Sequence, residues 1–187
     1  MKKLMEAINH PVQAFQEERK VLSWCLVLLT VLINAVFEPV LRYCKNSNQG
    51  SIDYIHMLRL LVLGILSYVL ICVGLWGICK CFGSKTTCKN HLFSWGITYI
   101  PTAICAVTVT VTEVFFYVFW NNVIWGMVFN IIFVGVLIWK ILLFAIYLKE
   151  VAKLQGKACV GAGLLLCVII LLLAALNGFV GLKTPVL

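Results

Sequence analysis

VIWGMVFNIIFVGVLIWKILLFAIYL, residues 123–148, runs for 26 residues with a single charge, Lys140. A helix rises about 1.5 Å per residue, so roughly 20 apolar residues cross about 30 Å of hydrocarbon. The stretch therefore reads as a membrane-spanning helix. Four other runs reach that length, at residues 21–40, 58–79, 92–119 and 158–182, each bounded by charged or turn residues. The run at 92–119 is long enough to tilt, or to break at Pro101. The fold class expected is all-α: a polytopic membrane protein, a five-transmembrane-helix bundle over residues 21–187 preceded by a short interfacial segment at 1–20.

Composition agrees. The chain is 63% hydrophobic and 12% charged, whereas a soluble domain is about half apolar and about a quarter charged. Too few polar residues remain for a separate soluble domain. The net charge of +8 could suggest nucleic acid, but the Lys and Arg residues sit in short loops beside apolar runs and the aromatics lie within or at the ends of those runs. Nucleic-acid binding is not expected.

Those cations instead orient the chain. Lys2, Lys3, Arg19, Lys20, Lys80, Lys85, Lys89, Lys149, Lys153 and Lys157 fall on one side, against Arg42, Lys45, Arg59 and Lys183 on the other. The positive-inside rule then places the N-terminus in the cytoplasm and the C-terminus outside. In the first 20 residues, charges surround Leu4, Met5, Ile8, Val12 and Phe15, which suits a helix lying in the membrane interface, divided near Asn9 or His10 by Pro11. A cleaved signal is not expected, because the apolar core begins only at Val21 and no small-x-small site closes it. Trp120-Asn121-Asn122 is the only connection expected between the third and fourth runs, making them a tight hairpin.

Three stretches carry a family resemblance. "NHPVQAFQEERK" resembles the entry segment of bacterial Yip (Ypt-interacting protein) domain members through Asn9, His10, Pro11 and Phe15. "FGSKTTCKNHLFSWGITYIP" resembles their passage into the third span through Gly83, Phe93, Ser94 and Pro101. "WKILLFAIYLKEVAKLQGKACV" resembles their exit from the fourth span through Trp139, Leu148, Lys149, Glu150, Val151 and the Gly156-Lys157-Ala158 turn. The resemblance covers most of the chain and implies five spans and no catalytic residues. Eukaryotic members bind prenylated Rab-type GTPases in vesicle traffic. This chain lacks their Asp-Leu-Tyr-Gly-Pro-like stretch and has a short N-terminal tail, so that role does not carry over, and a bacterial plasma membrane is the expected location.

Several polar residues fall within the runs. Glu113, about 10 Å from the outer surface by residue count, is expected to pair with Asn130 at equal depth. Lys140, about 13 Å from the inner boundary, is expected to snorkel inward beside Trp139. Glu38 and Asn34, one helical turn apart, could join Glu113 in an outer polar vestibule. Cys79, Cys81, Cys88 and His91 have donor types suited to zinc, but not the paired C-x-x-C knuckles of a strong site, so no metal or other cofactor is expected. His10, His56 and His91 are far apart, and neither hydrolase nor nucleotide-binding motifs occur, so no enzymatic activity is expected. Trp24, Trp76, Trp95, Trp120, Trp125 and Trp139 are expected to form an interfacial belt. Gly74, Gly77, Gly126, Gly135, Gly161 and Gly163 are expected to permit close helix contact.

Two functions follow. The first is a non-catalytic membrane scaffold, with the lipid bilayer, an unidentified membrane or cytoplasmic protein, and further copies of itself as partners. The second is a small permease or export-system subunit whose path is lined by Glu113, Asn130 and Lys140.

Overall fold

The computed structural model describes residues 2–16, 20–45, 53–116 and 122–180, and every regular element among them is helical. The first span, Lys20–Lys45, continues past the expected end at Val40. Pro39 has no N–H to offer the carbonyl one turn back. The helix meets this by widening into a π turn over Ile33–Phe37 and resuming as Glu38–Lys45.

The second span, Tyr54–Cys81, starts a turn earlier than hydropathy suggests because Asp53 caps it, its carboxylate accepting from the Ile55 and His56 N–H groups at 3.0 Å each. It ends where Gly83 takes φ 91, a conformation open to glycine, and the Ser84 N–H returns to the Cys79 carbonyl at 2.9 Å.

The third span, Cys88–Phe115, is built in three pieces: an α turn pair at Cys88–Ser94, a 3-10 segment at Trp95–Tyr99 and a helix at Ile100–Phe115. The break expected at Pro101 is spread over the five residues of the 3-10 segment, while Pro101 itself sits in the first turn of the following helix, where a missing N–H costs nothing. That helix closes at Phe115 with Phe116 as its cap, not at Phe119. Trp120 and Asn121 of the expected hairpin lie outside the described residues, and Asn122 caps the fourth span by accepting from the Ile124 N–H at 2.9 Å.

The fourth helix spans Val123–Glu150 and the fifth Gly156–Val180. The first four are each long and apolar enough to cross a membrane. The fifth is helical over 25 residues, about 37 Å at 1.5 Å per residue. The chain is thus an all-helical polytopic membrane bundle.

The first span packs on the second and third, the third on the fourth, and the fifth on the second and fourth. The third, the least hydropathic of the four, is the most buried, and the fourth, the most hydropathic, is the most exposed. That is the inverse of a soluble core: the apolar solvent is outside. The N-terminal helices, Lys2–Asn9 and Pro11–Gln16, bury Ala7, Ala14 and Phe15, and Phe15 meets Tyr147 edge-on with ring centroids 5.9 Å apart. Met5 and Val12 stay exposed. The pair therefore docks on the bundle through one face and leaves the other exposed.

Close approach falls on Gly161 of the expected glycines, with Gly163 in ordinary contact, and on two that were not expected, Gly96 and Gly64. A Cβ on Gly96 would lie 2.3 Å from Ser23 Oγ and 2.4 Å from the Ser23 carbonyl oxygen, so the 3-10 segment lies directly on the backbone of the first span. On Gly64 it would meet Val31 Cγ1 at 2.9 Å. Gly161 faces the Phe82 ring and Gly163 lies against Leu148, but Gly74, Gly77, Gly126 and Gly135 look into open space.

Gly96→Ala is accordingly expected to cost about 1–3 kcal/mol, since only backbone can yield. Gly126→Ala is expected to stay within about 0.5 kcal/mol. Thermal unfolding of the two purified variants in one detergent compares them directly.

Candidate functional site at the basic end of the bundle

The N-terminal helices meet the loops 82–87 and 151–155 at the end of the bundle that carries exposed Lys80, Lys85, Lys89, Lys149, Lys153 and Lys157. Beneath this surface His91 is fully buried. Its Nε2 lies 2.8 Å from Thr86 Oγ1, and its Nδ1 is hydrogen bonded to the Tyr147 hydroxyl. Thr86 Oγ1 is 2.7 Å from Ser84 Oγ, which donates to the Ala152 carbonyl at 2.6 Å.

The last link sets the direction of all the others. Ser84 spends its only proton on a carbonyl, so it accepts from Thr86. Thr86 must then accept from Nε2–H, which leaves Nδ1 bare to accept from Tyr147 O–H. A one-way chain of hydrogen bonds thus runs from the fourth span through loop 82–87 to loop 151–155, with His91 a neutral relay in its middle.

Around this chain Trp95 stacks on Phe144 with centroids 4.8 Å apart and meets Tyr147 edge-on at 4.8 Å. Trp95 is therefore a core residue and not part of an interfacial belt. The Tyr68 hydroxyl donates to the Leu92 carbonyl at 2.6 Å, satisfying an acceptor in the turn where the α pattern gives way to 3-10 geometry.

Loop 151–155 is equally tied. The Val151 and Ala152 N–H groups both reach the Tyr147 carbonyl, at 2.9 and 3.2 Å, and Leu154 turns back into the core. Beside it opens a cavity of about 370 Å³ with Gln16, Thr86, Asn90, Ser94, Glu150 and Lys153 on its walls. The Gln16 side chain donates to Glu150 Oε2 at 2.9 Å across its mouth.

The residues singled out for metal do not assemble. Cys79 is buried, Cys81 is exposed, both His91 ring nitrogens are engaged by hydroxyls, and no group of three ligand side chains converges among the described residues. All nine cysteines are free.

The intramembrane candidates are also separated. Glu113 pairs with Arg42 at 3.0 Å, not with Asn130, and Asn130 is exposed. The reason is local. The third span ends at Phe115, so Glu113 sits in its last turn, and the first span, prolonged past Pro39, brings Arg42 alongside. Lys45 adds a hydrogen bond to the Val114 carbonyl. Asn34 donates to the Thr30 carbonyl of its own helix at 2.9 Å, and the Glu38 side chain lies outside the described residues. Lys140 does not snorkel to the boundary. Its ammonium donates to Thr102 Oγ1 at 2.7 Å and lies 5.9 Å from the Phe144 ring centroid, tying the fourth span to the first turn after the 3-10 break.

Sequence reasoning missed Gln16, Thr86, Asn90, Tyr147 and Lys153 as neighbours. All five lie in the three stretches that carry the family resemblance, where of the cavity's polar residues only Ser94 and Glu150 are positions that carry it.

Fold and site together define a multi-span helical membrane protein with an ordered basic end. The sequence profile of the Yip1 domain matches residues 5–176, and the chain belongs to that family. No curated protein and no solved structure matches it.

Tyr147→Phe removes the donor to buried Nδ1 and is expected to cost about 1–3 kcal/mol, read as a lower unfolding midpoint in detergent. A double-mutant cycle on Arg42→Ala and Glu113→Ala is expected to give a coupling of only about 0.2–1 kcal/mol, as the Arg42 side chain is 53% exposed.

Proposed function

We propose that the chain is a non-catalytic integral membrane scaffold of trafficking or assembly type, with its basic end in the cytoplasm of a bacterial-type cell and a partner protein received there. The observation that carries this reading is the hydrogen-bond chain from Tyr147 to Ala152. It joins two loops and the fourth span into one body while leaving Lys85, Lys89, Lys149 and Lys153 exposed around it. A buried polar chain with every member satisfied rigidifies what it joins, and a rigid surface loses little entropy when a partner docks. The cations add electrostatic steering toward an acidic partner.

The permease reading has less to draw on. Glu113 and Lys140 are held by Arg42 and Thr102 on different helix pairs, and Asn130 faces outward.

A photo-crosslinking residue placed at Lys85 or Lys89 in intact membranes is expected to capture one defined protein, with capture falling when Ser84→Ala cuts the hydrogen-bond chain. Capture of no protein, combined with solute flux in liposomes that Lys140→Ala abolishes, would replace the scaffold by a permease.

A further inference from the structure

We propose that the cavity at the basic end is a binding site for a phosphoethanolamine group, presented by an amine-bearing phospholipid of the surrounding bilayer. The cavity lies between the first turns of the third span (Asn90, Ser94), the end of the fourth (Glu150) and the second N-terminal helix (Gln16). That is the end of the spans at which the apolar runs give way to exposed lysines. Its volume of about 370 Å³ falls in the small-molecule range of about 300–1,000 Å³.

The lining is ditopic. Lys153 and Glu150 both border the cavity, yet they form no ion pair with each other, and Lys153 has no ion-pair partner among the described residues. Lys153 is held there by a backbone at φ 54, a conformation unusual for a residue with a side chain. Glu150 is fixed by the Gln16 amide on Oε2, leaving its other oxygen open. Ser94 is 3% exposed and lines the cavity, and no hydrogen bond within the described residues engages its hydroxyl. Asn90 accepts from Thr87 through Oδ1, which frees its amide N–H groups.

These groups sort by chemistry. The Lys153 ammonium, Asn90 amide and Ser94 hydroxyl are donors suited to phosphate oxygens, while the Glu150 carboxylate and Gln16 carbonyl are acceptors suited to a primary ammonium. The surrounding lysines favour phosphate generally, and Glu150 makes the choice among phosphates. It repels a purely anionic headgroup, and a trimethylated choline has no N–H to give it. The acyl chains remain in the bilayer. This inference does not rest on the scaffold reading, since lipid selection can hold where no protein is captured.

The test is native mass spectrometry of the full-length protein with an equimolar mixture of phosphatidylethanolamine, phosphatidylglycerol and phosphatidylcholine. Wild type is expected to retain phosphatidylethanolamine over the other two by about tenfold, the scale of one charge-assisted hydrogen bond. Glu150→Gln is expected to abolish the preference over phosphatidylglycerol, and Lys153→Ala to lower retention of all three. Unfolding midpoints of the variants confirm that they remain folded. As a second variant, Asn90→Asp, which places negative charge on the phosphate side, is expected to lose phosphatidylethanolamine. Equal retention of the three lipids by wild type, or an unchanged preference in Glu150→Gln, overturns the proposal. Thermal protection by water-soluble glycerophosphoethanolamine without lipid retention overturns the bilayer as the source and gives the pocket to a free metabolite of the same chemistry.

Discussion

Where the first and third spans cross, backbone rests on backbone, because Gly96 has no side chain to hold it away from Ser23. The rest of the bundle depends on that approach. It draws the 3-10 segment into the middle of the protein, where Trp95, Ile97 and Tyr99 are fully buried. From there Trp95 reaches Phe144 of the fourth span and Tyr99 reaches Tyr68 of the second. The cost is visible at the same place, in the Ser23 hydroxyl, which is buried with no well-formed hydrogen bond among the described residues. In a lipid-solvated bundle, tight van der Waals contact has to supply what the hydrophobic effect supplies in water.

Polar side chains in such a bundle are satisfied in pairs and chains. Lys140 bonds to Thr102 across a helix interface, Glu113 to Arg42 at a bundle end, and His91 to two hydroxyls at the other. The Lys140–Thr102, Glu113–Arg42 and His91–Tyr147 links join elements distant in sequence, so groups that would be costly alone in hydrocarbon serve as ties between helices. At the basic end the ties are dense enough to hold loops, helix and span as one surface. Close beside them lies a cavity bordered by Glu150 and Lys153, which form no ion pair with each other.

The five helices were legible because hydropathy over about 20 residues is a direct record of bilayer thickness. Their boundaries shifted where backbone chemistry overrode hydropathy: at Asp53, whose cap adds a turn; at Pro39, absorbed by a π turn; and at Phe115, where the helix stops short of Phe119. The site was less legible. Ser94 and Glu150 stood in stretches with a family likeness, but nothing linear links Thr86 to His91 to Tyr147, the last pair 56 residues apart. The glycine reading held for Gly161 and Gly163 but went astray elsewhere for the same reason. Gly126 and Gly135 lie on the exposed fourth span, and Gly96, in a stretch that reads as an ordinary aromatic-rich helix, is the one that touches backbone.

By itself, then, the sequence determined the apolar solvent, the five long apolar helices among the described residues and the clustering of cations at one end of them, because each is a property of composition along a segment. Only the tertiary structure decided which glycine makes the crossing, which partners Glu113 and Lys140 take, and that both His91 ring nitrogens are taken by hydroxyls. Those outcomes turn on helix rotation and on offsets of a few ångströms between helices. Both are set by packing among segments far apart in the chain, and no local pattern records them.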